Sequence, residues 1–272
     1  MALIDQLRLL DRALRDPGVR AGLKKTRSRD AAVLAACDQA RFDAVALRQS
    51  EMIRDRWWRA RFPGTLAGAA HASGGTTADV ARAALASEHY DRRQGEDETG
   101  RVLLGWLVEQ DLPAWLLEVA AYEYVIGVGL PRRARGLGVD LALERELLPE
   151  GSHFFEASPS RGKVALATRA AVLPLELRAG ELRVALASGR APSRKLLAAP
   201  ATSPLVFAVE GEEALELELP PIAVDLVSLV AAPIDEKALV AGFAPEDRRE
   251  VRAGLALLVK LGVVSRGPRK AK

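Results

Sequence analysis

Residues 204–267 read PLVFAVEGEEALELELPP, IAVDLVSLVAAP, IDEKALVAGF and APEDRREVRAGLALLVKLGVVSRG. The first segment alternates. Leu205, Phe207 and Val209 share one side of an extended chain, and Leu215, Leu217 and Leu219 share one side of another. Glu216 and Glu218 fall on the opposite face of that second run. A period of two marks a strand with one buried face. Glu210-Gly211-Glu212 turns the first strand into the second. The three remaining segments read as helices, and the last ends in an apolar LGVVS exit. A small sheet followed by three helices is the plan of a winged-helix-like unit. Such a unit binds DNA, or has lost that role and binds a peptide.

Upstream, the period is also short. Residues 152–157, 163–168, 172–178 and 181–187 are β-like runs bounded by Gly and Pro, with Ala179-Gly180 placed to turn one into the next. Residues 139–148 and 191–197 suit short helices. Residues 127–138, GVGLPRRARGLG, carry four glycines, a proline and closely spaced arginines, and read as a linker between domains.

Everything before that linker reads as helical. Leu3, Leu7, Leu10 and Leu14 make an amphipathic helix of residues 2–16, ended by Pro17-Gly18. A basic loop at residues 18–29 leads to a helix at residues 31–40. A longer helix at residues 43–62 carries Val45, Leu47, Met52, Ile53, Trp57 and Trp58 and is closed by Pro63-Gly64. Thr76 or Thr77 caps the next, residues 92–100 form a polar loop, and residues 101–109 form a short apolar helix. The last, residues 111–127, buries a stripe of Leu112, Trp115, Leu116, Val119 and Ile126. Glu123 falls beside that stripe. A buried carboxylate needs a cation, so an arginine partner is expected, with the helix of residues 43–62 as its source. The expected fold class is therefore α+β. An all-helical domain spans residues 1–135, and residues 139–272 form a domain with a small antiparallel sheet and three helices, winged-helix-like.

Composition narrows the function classes. The chain has 272 residues, 49% hydrophobic and 28% charged, enough for two globular domains. A single cysteine, Cys37, rules out an intrachain disulfide and a cysteine-rich metal site. Its apolar setting suits a buried, inert thiol. The N-terminus is charged, unlike a signal peptide, and no run of 18 apolar residues occurs, so a cytoplasmic location and no membrane span are expected. His71, His89 and His153 lie in unrelated contexts. Neither metal-ligand spacings nor phosphate-loop or nucleophile-elbow motifs occur. No catalytic residue, cofactor or metal site is assigned, and an enzyme acting alone is disfavoured.

Charge bears on the partner. Between Pro204 and Glu250 there are eleven acidic residues against Lys237, Arg248 and Arg249, a local balance near −8. Phosphate contacts supply most of the affinity for nucleic acid, so this stretch argues against DNA. A peptide instead needs a free strand edge beside a helix, which a small sheet offers. Arg41, Arg48, Arg54, Arg56, Arg59 and Arg61 make either a solvated face or a contact surface for an acidic partner or phosphate.

Several segments resemble one family. RWWRARFPGTL at residues 56–66 resembles the helix-ending segment of that family's N-terminal domain. LGWLVEQDLPAWLLEVAAYEY at residues 104–124 resembles a second segment, with Glu123 at the Glu of its Leu-Glu pair and Tyr122 where Leu is usual. LVSLVAAPIDEKALVAG and ALLVKLGVVSRG resemble its closing unit. MIRDRWW replaces the usual Tyr-Arg-Asn segment, and residues 139–200 lie outside the resemblance. The family is often labelled DNA-binding. Its members include partner subunits of multinuclear non-haem iron-dependent oxidative enzymes, which modify cysteines in ribosomally made precursor peptides, as in the methanobactin and bufferin systems.

The resemblance implies a non-catalytic subunit that needs no cofactor of its own. Its helical domain would bind the iron-dependent oxidative enzyme, with Trp57, Trp58, Arg61 and Trp115 as candidate contacts. The precursor peptide's leader would lie along the C-terminal sheet, with Leu205, Phe207, Val209, Glu216 and Glu218 as candidate contacts. The acidic residues 210–218 suit a basic leader. The alternatives are a DNA-binding transcriptional regulator and a structural adaptor without peptide specificity.

Overall fold

The computed structural model describes residues 51–91, 99–154, 158–167, 169–201, 203–210 and 213–268, with a few isolated residues nearer the N-terminus. The helices expected at residues 2–16 and 31–40, Cys37, the Gly211-Glu212 turn and most of the polar loop at residues 92–100 lie outside the described residues. The structure is 57% helical with two small antiparallel sheets, which is α+β. The chain divides into two compact units, Met1–Leu117 with Ala185–Ala191, and Glu118–Val184 with Pro192–Lys272. No helix among the described residues is long and apolar enough to cross a membrane.

The first unit is helical. α1 comprises a π-helical turn, Arg54–Trp58, running into Arg59–Arg61. Trp58 and Phe62 are fully buried. Phe62 leaves helical geometry at φ −130°, and Pro63 then opens α2, Pro63–Ala72. Pro63 thus starts a helix as well as ending one, because its missing N–H is no loss in a first turn. Gly68 lets α2 pack closely, since a Cβ there would stand 2.7 Å from Leu116 Cδ1. α3, Thr77–Ala86, begins with a capping box in which Thr76 accepts from the Asp79 N–H and Asp79 accepts from the Thr76 N–H. α4 (Glu88–Asp91) and α5 (Thr99–Val108) follow. α3 packs on both α2 and α5, joining Val80, Ala84, Leu103 and Leu107 in the buried set.

α6, Ala114–Tyr124, continues through a π-helical turn, Val125–Gly129, into α7, Leu130–Ala134. Most of the segment expected to be a linker is therefore helix. Each glycine there costs the helix about 1 kcal/mol. Val125, Val128 and Leu130 are all buried, and that burial outweighs the cost. The chain breaks only at Gly136, with φ +70°. α8, Leu141–Leu147, is capped by Asp140, which accepts from Ala142 and Leu143 N–H.

The second unit holds two sheets where one was expected. In the first, β1 (His153–Phe154), β3 (Ala170–Leu173), β4 (Leu205–Glu210) and β5 (Glu213–Glu216) pair in the order β1-β3-β4-β5. In the second, β2 (Lys163–Leu166) lies between β6 (Ile234–Asp235) and β7 (Val264–Arg266). The run at residues 181–187 is not a strand. It belongs to α9, Ala179–Ala187. Leu182 and Leu186 are buried one helical turn apart, whereas Val184, which alternation would bury with them, is exposed. A spacing of four satisfies both periods, and Val184 decides between them. The run at residues 172–178 stays extended only to Leu173.

After a short α10 (Arg194–Leu197) and strands β4 and β5, the chain forms α11 (Pro221–Leu229), α12 (Glu236–Ala241) and α13 (Arg248–Lys260). Asp235 caps α12 by accepting from Ala238 N–H at 2.8 Å. Val251, Leu255 and Leu258 line the buried side of α13. Gly254 brings α13 onto α11, since a Cβ there would stand 3.0 Å from Leu226 Cδ1. One core joins Val164, Leu166, Val172, Val206 and Ala208 of the two sheets with Leu226, Leu239, Leu255 and Leu258 of the three helices. The strands within residues 204–267 thus divide between two sheets around a core shared with the three helices.

Candidate functional site

β4 is interior to its sheet. Phe207 pairs with Ala171 on one side and Glu216 on the other. Leu205, Phe207 and Val209 therefore lie on a covered strand, and Phe207 is fully buried. β5 is the outer strand, with no further strand paired to it among the described residues.

The pairing shows which backbone groups face outward. Leu217 N–H donates to Val206 C=O at 2.8 Å. Antiparallel pairs alternate between bonded and non-bonded positions, so Phe207–Glu216 and Val209–Ala214 are non-bonded pairs. The N–H and C=O of Ala214 and Glu216 point away from β4, toward the open side. Glu213, Leu215 and Glu216 are exposed, as is Glu218 just beyond the strand.

Glu216 shares a sheet face with Phe207, and α6 meets that face. The Tyr122 hydroxyl donates to Glu216 Oε2 at 3.0 Å. The Tyr122 and Phe207 rings meet edge to face, 5.5 Å between centroids at 73°. Burial, reinforced by the Glu216 charge, pushes the Tyr122 phenol well above its ordinary range, so it stays a donor. Gly180, at the start of α9, leaves room here, with a Cβ position 3.4 Å from the Tyr122 hydroxyl and 3.5 Å from Glu216 Oε2.

Two further carboxylates on α6 are held by neighbours. Glu123 is fully buried and accepts from Arg183 Nε at 2.9 Å. Among the described residues its arginine thus comes from α9, a segment whose alternation reads as strand. Glu118 accepts from the Leu177 N–H at 2.8 Å, ahead of α9. Its pKa is raised, chiefly by burial and against the pull of that hydrogen bond.

A second polar centre lies at Glu144, which is buried on α8. Arg133 forms two bonds to it, each 2.6 Å, and the Tyr124 hydroxyl donates to Oε1 at 2.6 Å. The Arg133 guanidinium also covers the Phe154 ring at 3.8 Å. The carboxylate and guanidinium meet as a fork, and the partners complete their hydrogen bonding. This is a structural clamp.

In the first unit, Trp58 is fully buried, so it builds core rather than surface. Trp57 is half-buried, with the Arg61 guanidinium 5.0 Å from its ring centroid. Trp115 is half-buried beside Gly68. Among the described residues no three of His, Cys, Asp and Glu come together as a metal would require.

Glu216 and Glu123 stand out in the sequence, whereas Tyr122 as a hydrogen-bond donor, Glu118, Glu144 and Arg133 do not. The local signal was the run Tyr122-Glu123-Tyr124, three polar groups in a row inside an apolar helix. Such groups need partners wherever the helix is buried. No protein-family model matches the chain, and no curated protein is significantly similar to it.

Proposed function

We propose that this chain is a non-catalytic partner subunit that holds a precursor peptide by strand addition at β5 and presents it to an iron-dependent oxidative enzyme. One observation carries the peptide-binding part. The main-chain groups of Ala214 and Glu216 face away from β4 on an exposed outer strand. An extended peptide that pairs there gains backbone hydrogen bonds without disturbing the existing sheet. Glu213, Glu216 and Glu218 beside that edge favour a basic segment. The enzyme and its iron come from the family resemblance in residues 56–66 and 104–124.

The order α11-β6-α12-α13-β7, with β2 between the outer two strands, supports reading this part as winged-helix-like. Its central strand would then come from earlier in the chain.

The test uses the full chain with a candidate iron-dependent oxidase and a candidate precursor peptide, each sought among the neighbouring genes. Co-purification with the oxidase and leader binding by fluorescence anisotropy are expected. Ala214→Pro removes one outward N–H and leaves the β4 pairing intact, so it weakens leader binding while the thermal midpoint holds. Enzyme binding without leader binding would mark a structural adaptor. Salt-sensitive binding to the chain's own promoter DNA would mark a regulator.

A further inference from the structure

We infer that Tyr122 is a positioning residue that aims Glu216 at one cationic side chain of the added strand, so that the edge prefers a peptide with Lys or Arg opposite Glu216. This rests on the strand-addition reading of β5.

The geometry selects that one position. Of Ala214 and Glu216, whose N–H and C=O face outward, only Glu216 carries a charge, and an incoming strand would form a bonded pair with it. The side chain directly opposite lies on the same face of the sheet, with its Cβ about 5 Å away. That face is the one carrying Phe207 and Tyr122.

One oxygen of Glu216 is already engaged. Oε2 accepts from Tyr122, while no described group bonds Oε1. An exposed carboxylate samples several rotamers, and a fixed donor on one oxygen removes part of that freedom before any peptide arrives. Preorganisation of this kind raises affinity by lowering the ordering cost of binding. Glu213 and Glu218 are also exposed, and no described side chain bonds their carboxylates. A charged edge also discourages sheet-to-sheet association, and all three glutamates serve that end. The phenol contact distinguishes Glu216 from the other two.

The test selects peptides from a random displayed library against the full chain, then measures the winners by anisotropy. The expected winners share a Lys or Arg at one fixed position. Replacing it by norleucine weakens binding about fivefold, the upper range for a cross-strand ion pair. Glu216→Gln abolishes that discrimination, Tyr122→Phe reduces it, and Glu218→Gln leaves it unchanged. Discrimination is read as the ratio of the two peptides' affinities for each variant, so a change common to both peptides cancels. Circular dichroism confirms folding of each variant. If no peptide is enriched, or if Ala214→Pro leaves binding untouched, the strand-addition reading falls and this inference with it. If peptides bind through Ala214 but show no cationic position, or if the Tyr122→Phe variant discriminates as well as wild type, strand addition stands and this inference is overturned.

Discussion

Tyr122 and Glu216 lie 94 residues apart in the chain and meet through a 3.0 Å hydrogen bond. The contact ties α6 to the outer strand of the four-stranded sheet. Its proton matters for stability as well as for position. Tyr122 and Tyr124 both have folded-state pKa values raised by burial and by a neighbouring carboxylate. A raised pKa contributes stability that is fully present below the unfolded value and lost as pH climbs past it. The unfolded tyrosines ionise near pH ~10 while the folded ones hold their protons. Denaturant midpoints should therefore be flat toward pH 9 and fall steeply above about pH 10. The double variant Tyr122→Phe/Tyr124→Phe should fall less steeply, and an unchanged slope would contradict the assignment.

The Glu144 clamp gives the largest expected loss. Glu144→Ala leaves the buried Tyr124 hydroxyl and the half-buried Arg133 without their carboxylate. Breaking a buried pair from one side costs about 3–5 kcal/mol. Glu144→Gln should cost less, because the amide oxygen still accepts. Urea titration of both variants and of Arg133→Ala in a double-mutant cycle measures the coupling. Additive effects would show that the clamp is not a unit.

Glu118 carries the opposite pH signature to an ordinary ion-paired carboxylate. Burial raises its folded-state pKa, so its contribution is present at acid pH and lost as pH rises through the carboxylate range. Glu118→Gln stays neutral and can still accept from Leu177 N–H. The variant should gain in thermal midpoint relative to wild type between about pH 4 and pH 7. A gap that does not change with pH would rule out burial as the cause.

Gly267 closes the three-stranded sheet. Its N–H donates to Lys163 C=O at 2.9 Å. A Cβ would collide with the Ser160 carbonyl oxygen, a clash with backbone that no rotamer relieves. Gly267→Ala should destabilise by about 1–3 kcal/mol, the usual range for overpacking. Hydrogen exchange should then rise at β7 and β2 before it rises elsewhere. Equal stability would mean that the chain end simply shifts away.

Much of the fold was legible. Alternation at residues 205–209 and 214–219 marked β4 and β5, though β5 itself spans Glu213–Glu216, and helical spacing marked α11 to α13. Thr76 was readable as a cap because Asp79 stands three residues on. The misread segments share a cause. Local composition at residues 127–138 favours a break, and local alternation at residues 181–187 favours a strand. In both, burial of particular side chains overrode the local preference. Glu123 was readable as a charge needing a partner, but not Arg183 as its source, since the two lie 60 residues apart.

The sequence by itself determined the α+β class, the two strands at the head of residues 204–267 and the acidity of the outer one. Those follow from periodicity and composition, which act over a few residues. The tertiary structure alone decided that β4 is interior and β5 is the outer strand among the described residues, that β2 joins β6 and β7, and that Tyr122 reaches Glu216. Strand pairing and buried hydrogen bonds depend on which distant segments exclude water together, and no local pattern encodes that choice.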